Sequence, residues 1–315
     1  MSLLVAIRHW TPDLWLERFR RLAPDLVIVD ARQPFDAAAV RFAAVWRPEP
    51  GLLAGLPNLE AIFNLGAGVD ALTADPTLPD VPVVRIVDPD LTGRMTEWVV
   101  MNVLMHHRRA ADHAAAQGRA EWRSIHQPAA RSVGVGIMGL GVLGRDAAEV
   151  LVRLGFRVSG WARGHHDIAG VTCFAGEENL DAFLGTTDIL VVLLPLTADT
   201  AGLLNHALFS KLKRDNHMGG PVLINGGRGG LQVEADIVAA LDDGTLAAAA
   251  LDVFETEPLP VASPLWRHPK VTITPHCAAD SDADALGHRI LDGIGRLMRG
   301  EALDPAHLID RTRGY

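Results

Sequence analysis

The sequence is poor in the features that mark secreted or membrane-bound chains. Its 315 residues include two cysteines, Cys173 and Cys277, too few for a disulfide framework and in keeping with a reducing compartment. The N-terminal stretch MSLLVAIRHW lacks a basic leading region, and its apolar run is too short for a secretion signal. The most apolar window, residues 189–196, falls far short of the roughly 20 residues a spanning helix needs. Positive charge is not in excess: the formal net charge is −9, which argues against nucleic acid and anionic membrane as partners. Repeats and low-complexity tracts do not stand out. The expectation is a soluble, cytoplasmic protein. With 49% hydrophobic residues, a chain of this length makes about two ordinary domains with sizeable cores.

What is present is organised around residues 132–163, SVGVGIMGLGVLGRDAAEVLVRLGFRVSGWAR. An apolar run over residues 133–138 has the length of a buried strand. Gly139, Gly141 and Gly144 follow in the spacing G-x-G-x-x-G. A helix-period segment comes next, with Ala147, Val150, Leu151 and Leu154 on one face and Gly155 as its stop. A second short strand, residues 157–161, ends the unit. Strand, glycine turn, helix, strand is the context a dinucleotide-binding fingerprint requires. Gly139 makes the tight turn, Gly141 lets the backbone approach a pyrophosphate, and Gly144 lets helix and strand pack closely. The helix N-terminus offers N–H groups and positive dipole to the phosphates.

The end of the second strand bears on which dinucleotide. NAD sites usually carry a carboxylate there for the ribose hydroxyls. This chain reads Gly160-Trp161-Ala162-Arg163-Gly164-His165-His166, with no carboxylate before Asp167. Arg163 stands where it can pair with a 2′-phosphate, so NADP(H) is favoured and NAD(H) remains possible. The plain alternative is a solvated Arg163, with Asp167 reaching back to the ribose.

Strand-like and helix-like segments alternate along the rest of the chain, which indicates parallel sheets with helices on their faces. Strands are expected at residues 3–7, 26–29, 43–46, 61–64 and 83–86. Helical pieces are expected at 11–22, with Pro12 at the favoured first position, and at 35–42 and 51–56. Residues 89–93 read as a loop and 96–117 as one long helix. Its adjacent His106 and His107 do not share a face, so no metal site is expected. Beyond residue 163, strands are expected at 171–174, 188–194, 222–225, 247–253 and 271–274. Helices are expected at 179–184, 205–213, 234–242 and 280–298. The run at 188–194 is apolar throughout, as for a strand buried on both faces.

Three strand ends each place one polar residue on the same edge of the second sheet: Arg228, Glu257 and His276. These are the groups needed to reduce a 2-keto acid. The arginine can hold a substrate carboxylate by a two-pronged, charge-assisted contact and polarise the keto oxygen. The histidine can protonate that oxygen as hydride arrives at carbon. The carboxylate can orient the imidazole and favour its protonated form. Singly, each has a bland reading as a loop charge or turn residue; together, beside the glycine fingerprint, they gain weight. Asp252, among small apolar residues, can accept from the nicotinamide carboxamide or satisfy local backbone groups. In the first part of the chain, residues 66–68 end a strand where open sheets bind ligands, and their exposed N–H groups suit a carboxylate. Trp46, also at a strand end, can wall a pocket or belong to the core.

The chain resembles the D-isomer-specific 2-hydroxyacid dehydrogenase family, and within it is most similar to the glyoxylate/hydroxypyruvate reductase type. The stretches that carry the resemblance are NLGAGVD at 64–70, GLGVLG at 139–144, LPLTADTAGLLN at 194–205, INGGRGG at 224–230, ALDVFETEPLP at 250–260 and SPLWRHPKVTITPHCAA at 263–279. The resemblance implies two doubly wound parallel-sheet α/β domains, Rossmann-like or flavodoxin-like, with a cleft between them. The dinucleotide-binding domain, residues 93–278, would be inserted in a catalytic, substrate-binding domain of residues 1–92 and 279–315.

The resemblance implies catalytic roles for Arg228, Glu257 and His276. It implies cofactor contacts from the glycine turn, from the backbone at Val142 and Leu143, and from Trp161, Arg163, Leu194, Pro195, Thr200 and Asp252. It implies that Ala67 and Gly68 hold the substrate carboxylate, that Trp46 lines the pocket, and that the protein is a homodimer. Two departures stand out. Gly227 replaces the alanine common before the arginine, which suggests a looser loop. His165 stands where the reductase type often has a second basic side chain, which makes the NADPH preference less secure. The function implied is NAD(P)H-dependent reduction of a small anionic 2-keto acid to its 2-hydroxy acid. The alternatives are a dehydrogenase of a larger 2-hydroxy acid and a non-catalytic dinucleotide sensor.

Overall fold

In a computed structural model that describes residues 2–8, 11–85 and 87–311, the chain forms two compact units. One comprises residues 1–91 and 281–315, the other residues 92–280; the sequence-based bounds lie one residue away at the first passage and two at the second.

The first unit is built on strands β1 (Ser2–Ile7), β2 (Val27–Asp30), β3 (Val40–Trp46), β4 (Ala61–Asn64) and β5 (Val83–Val84). All pairs are parallel, in the order β2-β1-β3-β4-β5, the flavodoxin-like arrangement. Alternate residues of β1 and β3 point to opposite faces. Leu3, Val5, Phe42 and Ala44 pack with Trp15, Phe19 and the C-terminal helix, Ala283–Met298. Leu4, Ala6, Ala43 and Val45 pack with Leu53, Leu56 and Leu72 on the other side. Helix α1 (Pro12–Leu22) starts on Pro12 as expected, and the short α2 (Asp70–Thr73) follows the loop after β4. Of the strand expected at residues 83–86, Ile86 lies outside the described residues.

The second unit opens with α3 (Pro89–His107) and α4 (Ala110–Gly118). A seven-stranded sheet follows: β6 (Gly134–Met138), β7 (Arg157–Ala162), β8 (Val171–Ala175), β9 (Ile189–Val192), β10 (Val222–Asn225), β11 (Ala248–Leu251) and β12 (Val271–Ile273). The order is β12-β11-β10-β9-β6-β7-β8, all parallel, the Rossmann arrangement, which reverses direction between β6 and β9. Helices α5 (Val142–Arg153), α6 (Leu180–Leu184), α7 (His206–Phe209) and α8 (Glu234–Asp242) connect the strands. Every residue of β9 is buried, as its unbroken apolar run requires. Both expected sheets are therefore present, and the doubly wound α/β class holds.

Among the elements that differ from expectation, four have a local reason. Residues 89–93 are helical, because Pro89 is well placed at a helix start and the Asp88 carboxylate accepts from the Leu91 N–H at 3.3 Å. The long helix breaks at Arg109, whose φ is +57°; its guanidinium binds Asp112 at 2.5 Å and the His217 carbonyl at 2.8 Å. At residues 35–42, only Ala37–Ala39 makes a 3₁₀ turn; Val40 already belongs to β3, held in register with β1. The piece expected at 205–213 is shorter, with helix only over His206–Phe209 after an Asn205 cap.

Candidate active site

The site in the second unit is assembled on the C-terminal edge of its sheet, the edge on which parallel sheets bind ligands. Its first part is the turn after β6. Gly139 has φ of +100°, and a side chain there would meet the Leu193 carbonyl oxygen at 2.8 Å. Its N–H donates to the Trp161 carbonyl at 2.9 Å. A Cβ on Gly144 would lie 1.8 Å from the Gly139 carbonyl oxygen, so only glycine lets α5 sit this close to β6. Gly141 differs: a Cβ there meets nothing within 4 Å. The turn is thus packed behind and open in front. Gly141 caps α5 with no side-chain cap bond, Val142 is exposed and Leu143 half-buried. A dinucleotide pyrophosphate fits this cradle, because open backbone and a helix N-terminus attract the same ligand.

Around the cradle, Arg163 is exposed just past β7, with Asp199 3.9 Å away. His165 and Asp167 are exposed as well. Trp161 is 8% exposed, and its indole N–H donates to the Gly176 carbonyl at 2.8 Å, so its ring is fixed from within the unit. Leu194 is buried after β9. The Thr200 hydroxyl donates to the Pro195 carbonyl at 2.8 Å and accepts from the Thr197 N–H at 2.8 Å, which folds residues 195–200 into a fixed corner.

The second part is the loop after β10. Arg228 is half-buried, and its Nη1 donates to the Gly227 carbonyl at 2.8 Å. Sequence reasoning missed what holds this loop. Asn225, fully buried, accepts from the Gly227 N–H at 3.0 Å and donates to the Arg228 carbonyl at 3.3 Å. It also donates to Gln232 Oε1 at 2.8 Å, and Gln232 donates to the Val253 carbonyl at 3.0 Å. A polar residue closing the apolar run VLIN was the available signal. These bonds correct the expectation of a loose loop at Gly227. The position is tight: a Cβ there would lie 2.9 Å from both the Leu194 carbonyl oxygen and Leu231 Cδ1.

The third part pairs the loops after β11 and β12. His276 Nδ1 lies 2.8 Å from Glu257 Oε2, and Glu257 Oε1 accepts from the Phe254 N–H at 3.2 Å. The imidazole is thereby oriented through one nitrogen and presents the other, Nε2. Asp252 organises the same loop from below. It is 2% exposed, and its carboxylate accepts from Thr274 Oγ1 at 2.5 Å, the Cys277 N–H at 3.0 Å and the Ala278 N–H at 3.1 Å. Of its two sequence readings, satisfaction of local groups is the one these bonds describe.

In the first unit, Trp46 is 6% exposed, and its ring lies where a Gly66 side chain would be, 2.2 Å from that Cβ position. The ring packs in the core of this unit and lies against Gly66. Asn64, another buried polar strand end, donates to the carbonyls of Gly66 at 2.6 Å and Gly68 at 2.9 Å. With those carbonyls committed, the N–H groups of Ala67 and Gly68 have no hydrogen-bond partner among the described residues.

A fingerprint turn and an Arg, Glu and His set on one Rossmann edge define a dinucleotide-dependent dehydrogenase site. Residues 100–278 match the model of the D-isomer specific 2-hydroxyacid dehydrogenase, NAD binding domain. The chain belongs to the D-isomer specific 2-hydroxyacid dehydrogenase family, as its motifs led one to expect. It is 41% identical over 321 residues to glyoxylate/hydroxypyruvate reductase A of Serratia proteamaculans, covering 100% of both chains. It is 42% identical over 281 residues to the enzyme of that name from Salmonella paratyphi B, covering 87% of each. Among solved structures it is similar to the NADPH-dependent glyoxylate/hydroxypyruvate reductase of Sinorhizobium meliloti in complex with NADP and sulfate. That pair has a TM-score of 0.94 and 45% identity, with 100% of both chains covered. A probable 2-hydroxyacid dehydrogenase from Rhizobium etli, in complex with NADP, HEPES and L(+)-tartaric acid, has a TM-score of 0.93 and 45% identity, covering 100% of this chain and 99% of that one.

Proposed function

We propose that the protein is an NADPH-preferring reductase of small 2-keto acids such as glyoxylate and hydroxypyruvate, forming the 2-hydroxy acids. The observation that carries this reading is the His276–Glu257 pair at 2.8 Å on the strand edge that also bears Arg228 and the glycine cradle. The names of its full-length relatives, reductases of glyoxylate and hydroxypyruvate, point the same way.

Residues 92–280 bind the dinucleotide. Gly139, Gly141, Val142, Leu143 and Gly144 receive the pyrophosphate, and Arg163 the 2′-phosphate. Trp161, Leu194, Pro195, Thr200 and Asp252 shape the remainder of that site. Bound NADPH supplies the hydride. Arg228 holds the substrate carboxylate and draws electron density from the keto oxygen. His276 gives a proton from Nε2 to that oxygen, and Glu257 stabilises the charged imidazole that precedes the transfer. In the first unit, the N–H groups of Ala67 and Gly68 are further donors for a carboxylate, and Trp46 supports their loop.

The protein acts as a cytoplasmic homodimer. Both cysteines are free, and no described helix is long and apolar enough to cross a membrane. Met101 and Met105, one turn apart on α3, and Trp122 expose apolar surface to a second copy.

The test is the initial rate of NADPH and NADH oxidation with glyoxylate, hydroxypyruvate, pyruvate and a bulky 2-keto acid. Fast turnover with NADPH and the small acids is expected. Activity confined to the bulky acid, or to NADH, would overturn the substrate or the cofactor assignment respectively.

A further inference from the structure

The loops that carry Arg228 and His276 meet at one buried side chain that no sequence motif singles out. Trp98, on α3, is 7% exposed. Its indole Nε1 donates to Thr274 Oγ1 at 3.1 Å. That hydroxyl in turn donates to Asp252 Oδ1 at 2.5 Å, and Asp252 receives the N–H groups of Cys277 and Ala278, the residues directly after His276. The Asp252 carbonyl also accepts from the His276 N–H at 2.8 Å. On its other side, the Trp98 ring meets the start of the arginine loop. A Cβ at Gly226 would lie 3.0 Å from Trp98 Cζ3, so the absence of a side chain there lets ring and backbone touch. Gly226 leads directly into Gly227, whose N–H is tied to Asn225.

We infer that Trp98 is a positioning residue for the reaction. Its N–H, relayed through Thr274 and Asp252, sets the His276 loop, and its ring sets the Arg228 loop, so one side chain fixes the spacing of the two. Chemistry separates the halves. The relay is polar and directional: an indole nitrogen can only donate, so the Thr274 hydroxyl accepts from it and turns its own proton to Asp252. The ring contact is steric. Buried polar chains of this kind work as units, so removing one link releases the rest. Proton transfer depends on the first half and carboxylate binding on the second, and a displacement of about 1 Å costs on the order of 100-fold in rate.

The inference rests on the proposed reductase reading, and the test separates the two. Trp98→Phe keeps the ring against Gly226 and deletes the donor; Thr274→Val deletes the middle of the relay with little change of volume. Each is expected to lower kcat about tenfold with KM for glyoxylate unchanged, and the double variant to lose no more than either alone, because one relay is broken in all three. Thr274→Ser, which retains the hydroxyl, restores kcat. Trp98→Leu, which also removes the ring, raises KM. Losses that add in the double variant, or unchanged kcat in both single variants, would overturn the inference. Amide hydrogen exchange at Cys277 and Ala278 reads the relay without any substrate. Exchange should speed up about tenfold in Trp98→Phe and Thr274→Val; wild-type protection in both would refute the relay, whether or not the wild-type protein reduces glyoxylate.

Discussion

His276 holds a left-handed backbone, φ +52°, while its Nδ1 stays 2.8 Å from Glu257 Oε2. A non-glycine residue in that region costs on the order of 1–3 kcal/mol, and it is rare enough to mark a functional constraint. Here the cost is offset by the His276 N–H, which reaches the Asp252 carbonyl at 2.8 Å and the Thr274 carbonyl at 3.1 Å. The strained link lets the ring face Glu257 with Nδ1, and Nε2 is the nitrogen assigned to the proposed proton transfer.

His276→Ala should therefore lower kcat by about 100- to 10,000-fold, the usual contribution of a placed proton donor, while NADPH affinity measured by fluorescence titration stays within about twofold of wild type. Glu257→Gln keeps a hydrogen-bond partner for Nδ1 but removes the charge, and should cost less. Turnover near wild type in His276→Ala would remove the residue from the proton step.

The fingerprint glycines separate by the space in front of each. Gly144→Ala drives a Cβ to 1.8 Å from a backbone oxygen. Backbone cannot yield like a side-chain tip, so overpacking of ~1–3 kcal/mol or more should lower Tm by several degrees. Gly141→Ala meets nothing in the protein. It should leave Tm unchanged and weaken NADPH binding, because its methyl group occupies the approach of the pyrophosphate. Calorimetry and titration of both variants check the pair; equal Tm losses would contradict the assignment.

Arg163 and Asp199, 3.9 Å apart and both exposed, should act on cofactor choice in opposite directions. Arg163→Ala removes charge-assisted bonds to a 2′-phosphate and should weaken NADPH by about 10- to 100-fold with little change for NADH. Asp199→Asn relieves a competing carboxylate, and exposed ion pairs contribute only ~0–1 kcal/mol, so a gain of about two- to fivefold for NADPH is expected. The gain should shrink as salt is raised. Parallel effects on NADH and NADPH would sink the phosphate assignment.

A cluster at the end of α3 should make the fold sensitive to mild acid. Burial, with smaller contributions from His217 and Arg108, holds His107 below its ordinary value of 6.5. Burial likewise holds His217 low and brings His106 to about 4. His107 is packed edge-on against Phe156 at 5.1 Å and His217 at 5.5 Å, and its Nδ1 is a buried atom with no hydrogen-bond partner among the described residues. Since the folded-state values lie below the unfolded ones, the unfolded chain takes up these protons first as the pH drops below about 6.5. Stability is therefore full above that pH and declines toward the folded-state values. His107→Phe should flatten the fall of Tm between about pH 7 and pH 5; an unchanged slope would clear this cluster of the effect.

Patterns of near neighbours were enough to read much of this protein from its residues. Alternating and continuous apolar runs located the strands, because a side chain's face in a sheet follows from its position alone. The G-x-G-x-x-G spacing after β6 and the positions of Arg228, Glu257 and His276 past β10, β11 and β12 marked one strand edge, because parallel strands all end on the same side. What escaped that reading depends on residues distant in the chain. The break at Arg109 needs the His217 carbonyl, 108 positions away. The rigidity of the Arg228 loop comes from Asn225, Gln232 and the Val253 carbonyl. Asp252 reads as a lone carboxylate among small apolar residues until the amides of Cys277 and Ala278 are folded onto it. Trp98 reads as one more apolar residue on a helix until Thr274, 176 positions later, supplies an acceptor for its indole. A local pattern says which side of a strand or helix is buried; which polar partner a buried group meets is settled only when the chain closes on itself.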